Sequence, residues 1–284
     1  MLPISIIIPC YNSAPTLSRA LDSAIAQREA AQILVVDDGS TDKTAEIVFR
    51  YARLDARVHL LQMASNSGQA SARNWGALHA TAPVLAFLDA DDEYLPGALT
   101  AASAWLEKSP RDAVVRLDVD FYGFPESVLA HPDFATKARA LSNTVPSSLV
   151  IRRCAFLALG GFPMDDFFRQ YGGEDGALAW ALHETFGQHR LDDAKRVRMH
   201  YHTGIHAERF FRIQTGLDTP DPGDNAAVIQ FSRQFLDQAI GVVKQLRGLN
   251  VGEALDQAGR QSAGESAYEP VTEIVIPAIS DDAG

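Results

Sequence analysis

A chain of 284 residues, 46% of them hydrophobic, fits one large domain or two small ones and can bury a full core, which excludes a disordered composition. The net charge of −11 argues against a nucleic-acid binder, which needs a basic stripe to neutralise phosphates; a nucleotide ligand stays open, because a metal ion supplies positive charge locally. Cys10 and Cys154 stand far apart and belong to no metal-ligand pair, so a reducing cytoplasm is expected, although two cysteines suffice for one disulfide.

The first hundred residues alternate strand and helix. Ile4 to Ile8 is a β-branched strand closed by Pro9, too short for a signal core or a membrane span, and no later segment approaches ~20 apolar residues. The chain therefore reads as soluble, with peripheral membrane contact left open. Thr16 to Gln27 carries apolar residues at helical spacing. Ile33 to Val36 is a second strand, and Ser40-Thr41-Asp42 offers N-caps to a helix ending near Arg53. Val58 to Gln62, Gly68 to Ala80 and Val84 to Leu88 follow as strand, helix and strand. Near-continuous apolar strands separated by helices imply a parallel sheet covered on both faces, with ligands beyond the carboxyl ends of the strands. That places Pro9-Cys10-Tyr11-Asn12, Asp37-Asp38 and Asp89 to Asp92 on one edge.

After a helix over Leu99 to Lys108 the alternation loosens. Ala113 to Val119 and Ser147 to Ile151 read as strands around an irregular stretch. Glu174 to Glu184 reads as a helix, Arg196 to Tyr201 as a short strand, and Asn225 to Leu246 as an amphipathic helix. The last thirty-odd residues read as a loosely held tail, in which Thr272 to Ile276 is a candidate edge strand.

The chemistry concentrates in a few places. Leu85-Ala86-Phe87-Leu88 runs into Asp89, Asp91 and Asp92, carboxylates that repel one another unless something positive lies between them. A divalent cation that also holds a diphosphate resolves this, and a loop whose Asp residues cap the next helix is the plainer alternative. Asp37-Asp38-Gly39 suits either a hydrogen bond to a base or ribose, or a simple turn. At Gly68 to Asn74, helix amides and Arg73 suit an anion, or Arg73 pairs with a strand-end Asp. Gly160-Gly161-Phe162 and Gly172-Gly173 let backbone approach a ligand closely. Glu174 and Asp175 open a helix whose dipole is expected to keep them ionised, which suits a general base, although an acidic first turn needs no such role. His200 and His202, two residues apart on one face, are candidate metal ligands, with His206 a third.

In this order, Pro9-x-Tyr11-Asn12, Asp37 to Asp42, Gly68-x-x-x-Ala72-Arg73-Asn74, Asp89-x-Asp91-Asp92, Gly160-Gly161-Phe162 and Gly173-Glu174-Asp175 resemble a family 2 glycosyltransferase of the GT-A fold, over residues 2–205. The resemblance implies an α/β fold: a Rossmann-like, mostly parallel sheet flanked by helices, with a C-terminal helical extension. It implies a nucleotide-sugar-binding half over 1–110, an acceptor-binding and catalytic half over 111–215, and a helix and flexible tail over 216–284. Pro9, Tyr11, Asn12, Asp38 and Arg73 would then hold the donor, a UDP-sugar, with Asp38 accepting from the base. Asp91, with Asp89 nearby, would bind the diphosphate and a Mn²⁺ or Mg²⁺ ion, and His202 or His200 would add a nitrogen ligand. Asp175 would be the general base, supported by Glu174. The acceptor, a saccharide, lipid-linked or other hydroxyl compound, would meet the loop at about Phe121 to Asn143. The implied reaction is a single in-line displacement with inversion.

Three alternatives compete. A response-regulator receiver would share Ile33 to Asp38, but a full strand and helix precede the acidic pair and no Lys-Pro follows. A sugar nucleotidyltransferase wants a Gly-rich basic loop after the first strand, where this chain has Pro9 to Pro15 without glycine or a basic residue. A catalytically silent binding module of the same fold would have no need of both Asp91 and Asp175.

Overall fold

The computed structural model of the protein describes residues 1–219 and 222–248; the candidate strand at Thr272 to Ile276 and the expected tail lie outside the described residues. The alternation at the start of the chain is as expected. β1 (Ile4–Cys10), α1 (Leu17–Ile25), β2 (Ala30–Asp37), α2 (Thr44–Leu54), β3 (Val58–Gln62), α3 (Gln69–His79) and β4 (Val84–Phe87) follow one another. β1 lies between β2 and β4, both parallel to it, and β3 extends the sheet beyond β2 in the same sense. Every β1 residue is buried because the strand feeds two cores: Ile6 and Ile8 enter one, Ile7 the other. α3 packs so closely on this sheet that a Cβ on Gly76 would stand 2.6 Å from Cγ2 of Ile7 and 3.0 Å from Cγ2 of Val36.

The second half is more elaborate than its sequence pattern. It comprises β5 (Glu93–Tyr94), α4 (Ala98–Lys108), β6 (Val114–Tyr122), α5 (Glu126–Leu129), α6 (Phe134–Ser142), a 3₁₀ turn (Pro146–Ser148), β7 (Leu149–Arg152) and α7 (Arg153–Ala158). α8 (Asp166–Tyr171), α9 (Glu174–Phe186), β8 (His189–His200), α10 (His206–Gln214) and α11 (Pro222–Gly248) complete it. Among the described residues eight strands form one sheet in the order β3-β2-β1-β4-β7-β6-β8-β5. β7 pairs antiparallel with β4 and β6, β5 antiparallel with β8, and β8 runs parallel to β6.

Two expectations are corrected here. The stretch from Phe121 to Asn143 is not an irregular loop but holds α5 and α6, and Phe121, Phe124, Phe134 and Phe211 meet edge to face or tilted in one aromatic cluster beneath them. The short strand at Arg196 to Tyr201 is the second half of the 12-residue β8. Its first half hides in polar residues because Asp192, Asp193 and Lys195 face solvent, and the register against β6 shifts twice where they intervene. Among the described residues no helix is long and apolar enough to cross a membrane.

Candidate active site

A cavity of about 1130 Å³ opens beyond the carboxyl ends of β1, β2 and β4 and takes in every sequence-singled site residue: Pro9, Tyr11, Asn12, Asp38, Arg73, Asp89, Asp91, Glu174, Asp175, His200 and His202. Pro9 lines it from within β1, and Tyr11, just past the strand, presents a half-exposed ring. Asp38 is buried, and the amides of Ser67 and Gly68 donate to its two oxygens at 2.8 Å each. The anion expected at the start of α3 is thus the protein's own Asp38. Burial raises its pKa against the pull of those two amides, and each oxygen retains a lone pair for a further donor. Asn12 adopts φ +49°, and its side-chain carbonyl accepts from the Thr41 amide at 2.9 Å while its own amide donates to Ser40 Oγ. Its side-chain oxygen therefore braces the β2–α2 loop.

The acidic loop after β4 separates into roles. Asp92 is buried and accepts from Ser147 Oγ at 2.6 Å, and the same hydroxyl accepts from the Asp89 amide at 3.0 Å. Burial and then the neighbouring Asp91 and Asp89 push the Asp92 carboxyl well up, and its bond to Ser147 braces the loop. Asp89 pairs with Arg73 at 2.7 Å. Asp91 meets His202, Oδ2 to Nε2, at 3.1 Å, and burial followed by repulsion from Asp89 raises its pKa. Arg19, on α1, donates to the Asp91 carbonyl and fixes the loop.

These residues fit a divalent ion in part. Among the described residues no cluster of three or more ligating side chains is assembled. One carboxylate and one imidazole stand together at Asp91 and His202. Oxygens of a bound diphosphate would complete such a set. The two histidines do not act alike. β8 ends at His200, so the alternation does not carry on to His202; His200 Nε2 turns to Glu93 Oε1 at 3.2 Å, held near by the pairing of β5 with β8.

The second acidic site sits at the start of α9. Glu174 is buried, accepting from Gln69 Nε2 at 2.6 Å and facing Arg73 Nη1 at 3.5 Å. Asp175 keeps part of its surface open to the cavity, and its Oδ1 accepts from the Gly176 amide at 2.8 Å. The expected lowering of these pKa values by the helix dipole is overturned. Burial dominates, aided by repulsion from Asp175, and pushes Glu174 up to about 7. Burial raises Asp175 as well, against Arg73 and His206. A carboxylate with a raised pKa beside a pocket is a stronger base than an ordinary one, so the correction favours general-base chemistry. Arg73, only 2% exposed, touches both acidic sites, Asp89 with one nitrogen and Glu174 with the other.

A further correction concerns Gly160-Gly161-Phe162. A Cβ on Gly161, whose φ is +81°, would stand 2.3 Å from Oδ1 of Asn74. Asn74 donates to the Phe162 carbonyl and accepts from the Phe162 amide, both at 2.8 Å. The close backbone approach thus serves a buried side chain of α3 and ties that helix to the loop after α7. Gln69, Ser147 and Arg19 escaped the sequence reading because their partners lie 55 to 105 residues away. So did Trp180 and Arg233, which line the cavity from α9 and α11.

The sequence model of the family described as glycosyl transferase family 2 matches residues 5–157, more than half of the chain. Succinoglycan biosynthesis protein ExoU of Rhizobium meliloti (strain 1021) is 40% identical over 96 residues, 34% of this chain and 28% of that protein. A validoxylamine A glucosyltransferase of Streptomyces hygroscopicus subsp. jinggangensis (strain 5008) is 30% identical over 219 residues, 63% of this chain and 51% of that protein. The chain thus spans about a quarter to a half of the length of these relatives. Among solved structures, the mannosyltransferase PcManGT from Pyrobaculum calidifontis, in complex with GDP-Man and Mn²⁺, superposes with a TM-score of 0.59 at 22% identity, covering 93% of this chain and 76% of that one. S. aureus TarS 1-349 in complex with UDP gives 0.55 at 20% identity, covering 84% and 72%. The mixed sheet flanked by helices is therefore the GT-A architecture, and the chain belongs to glycosyl transferase family 2.

Proposed function

We propose that the protein moves a sugar from a nucleotide-sugar, a UDP-sugar, to an acceptor hydroxyl with inversion, with Asp175 as general base. One observation carries this reading. A single buried arginine joins a carboxylate–histidine pair's loop to a raised-pKa carboxylate pair within one cavity. In this reading Tyr11 offers its ring to the base and Asp38 accepts a base N–H on a free lone pair. Asp91 and His202 would hold Mn²⁺ or Mg²⁺, which when bound supplies Lewis-acid stabilisation of the departing diphosphate. Asp89 keeps Arg73 oriented toward the same charge. Asp175 removes the acceptor hydroxyl proton as the oxygen attacks the anomeric carbon, and Glu174, held by Gln69 and Arg73, fixes the start of α9 on which that base stands. A base acting on the acceptor and positive charge acting on the leaving group need no covalent intermediate, so one displacement inverts the anomeric configuration. Both cysteines are free, and a reducing cytoplasm is the setting we propose.

The test is a donor screen that reads release of UDP or GDP with Mn²⁺, with and without chelator, followed by NMR of the product's anomeric configuration. UDP release that needs the metal and an inverted product are expected. A retained configuration overturns the single displacement, and release only from GDP-sugars overturns the choice of donor.

A further inference from the structure

The cavity extends past Asp175 to a wall that the donor chemistry does not use. Trp180 lies on α9 five residues beyond Asp175, about 7.5 Å further along the helix axis. Ile229 and Arg233, one turn apart on α11, complete this wall. The guanidinium of Arg233 stands 6.0 Å from the centroid of the Trp180 ring. Trp180 is partly open, with an apolar face and one N–H donor, and so can carry a flat, partly polar ring.

Arg233 is unusual for this chain. Acidic residues outnumber Lys and Arg by 36 to 25, and the other arginines of the cavity are engaged: Arg73 with Asp89 and Glu174, Arg19 with the Asp91 carbonyl. Among the described residues the Arg233 side chain makes no ion pair and no hydrogen bond, and it stands over the face of Trp180. That approach places the guanidinium at the cavity wall, with its N–H donors unengaged among the described residues. A guanidinium so placed matches a carboxylate or phosphate, which it can grip through two parallel hydrogen bonds.

Resting on the glycosyl-transfer reading, we propose that Trp180 and Arg233 form the acceptor subsite and that the acceptor is an anionic sugar. Its ring lies on Trp180, its carboxylate or phosphate meets Arg233, and its reacting hydroxyl reaches Asp175. The apolar flank at Ile229 carries no polar group that a neutral polyol would need, so the charge supplies the selectivity.

Ligand-observed NMR titration of the full chain, in the presence of UDP and Mn²⁺, tests this with glucuronate, glucose 6-phosphate and glucose as probes. At least one anionic sugar should bind about tenfold more tightly than glucose, as expected for a charge-assisted contact. The comparison of glucuronate with glucose 6-phosphate decides between carboxylate and phosphate. Arg233→Gln should bring all three sugars within about twofold, whereas Trp180→Leu should weaken all three alike. Glucose binding as tightly as both anionic sugars, or a preference that survives Arg233→Gln, overturns the proposal while leaving glycosyl transfer intact. Failure of UDP itself to bind overturns the underlying reading, and the subsite with it.

Discussion

Glu174→Gln keeps the shape of the side chain beside Gln69 and Arg73 and removes its titration. In the folded protein burial, and then repulsion by Asp175, hold the Glu174 carboxyl at about 7 instead of 4.5. Between these values the folded state retains a proton that the unfolded chain has released. The contribution of Glu174 to stability is therefore fully present below pH 4.5 and is lost as the pH rises through about 7. At about 1.4 kcal/mol per pKa unit, the interval from 4.5 to about 7 corresponds to about 3 kcal/mol. Urea unfolding of wild type and variant, followed from about pH 4.5 to about pH 8, reads this contribution together with the response of Asp175 and Arg73, the two charged partners of Glu174. Glu174→Gln should gain about 3 kcal/mol on the wild type across that range. Stability curves that run parallel would refute the reasoning, since they would mean that Glu174 ionises as readily in the folded protein as in the unfolded chain.

Other consequences can be measured on the same protein. Asn74→Ala leaves the Phe162 amide and carbonyl buried without their partner and should cost about 3 kcal/mol in urea unfolding; a loss under about 1 kcal/mol would show that water replaces the side chain. Gly76→Ala favours the helix intrinsically, yet its methyl meets Ile7 and Val36, and a net loss of about 1–3 kcal/mol is expected; a rise in Tm would show that α3 can shift outward. Asp175 must be ionised to act, and its raised pKa moves the acid limb of the activity profile above the ordinary value of 3.8. Activity should thus fall with decreasing pH while the medium is still above that value, and an acid limb at or below 3.8 would remove Asp175 from the role.

Periodicity carried the first half of the fold, because a parallel sheet buried on both faces writes each strand as a near-continuous apolar run, as in Ile6 to Ile8 or Val84 to Phe87. The second half was less legible where strands carry polar faces. The start of β8 reads as loop because Asp192, Asp193 and Lys195 interrupt it, and α5 and α6 are short amphipathic pieces without strong caps. The candidate site was legible as a list of carboxylates, since strand ends converge on one edge, but not as an electrostatic arrangement. Helix position alone suggests that Glu174 and Asp175 titrate low; only tertiary burial shows that they titrate high. Likewise Gly161 signals close backbone approach, and nothing in the sequence says that it is Asn74 that is approached.

Donor binding and turnover measured side by side on wild type, Asp91→Ala and Asp175→Asn test the division of labour within the cavity most directly. Titration calorimetry with UDP and Mn²⁺ and an assay of nucleoside diphosphate release supply the two readouts. We expect Asp91→Ala to weaken UDP binding at least tenfold, and Asp175→Asn to bind UDP as the wild type does while losing about a thousandfold in turnover. Equal loss of binding in both variants, or turnover that survives Asp175→Asn, would contradict the assignment of Asp91 to the donor and Asp175 to the proton.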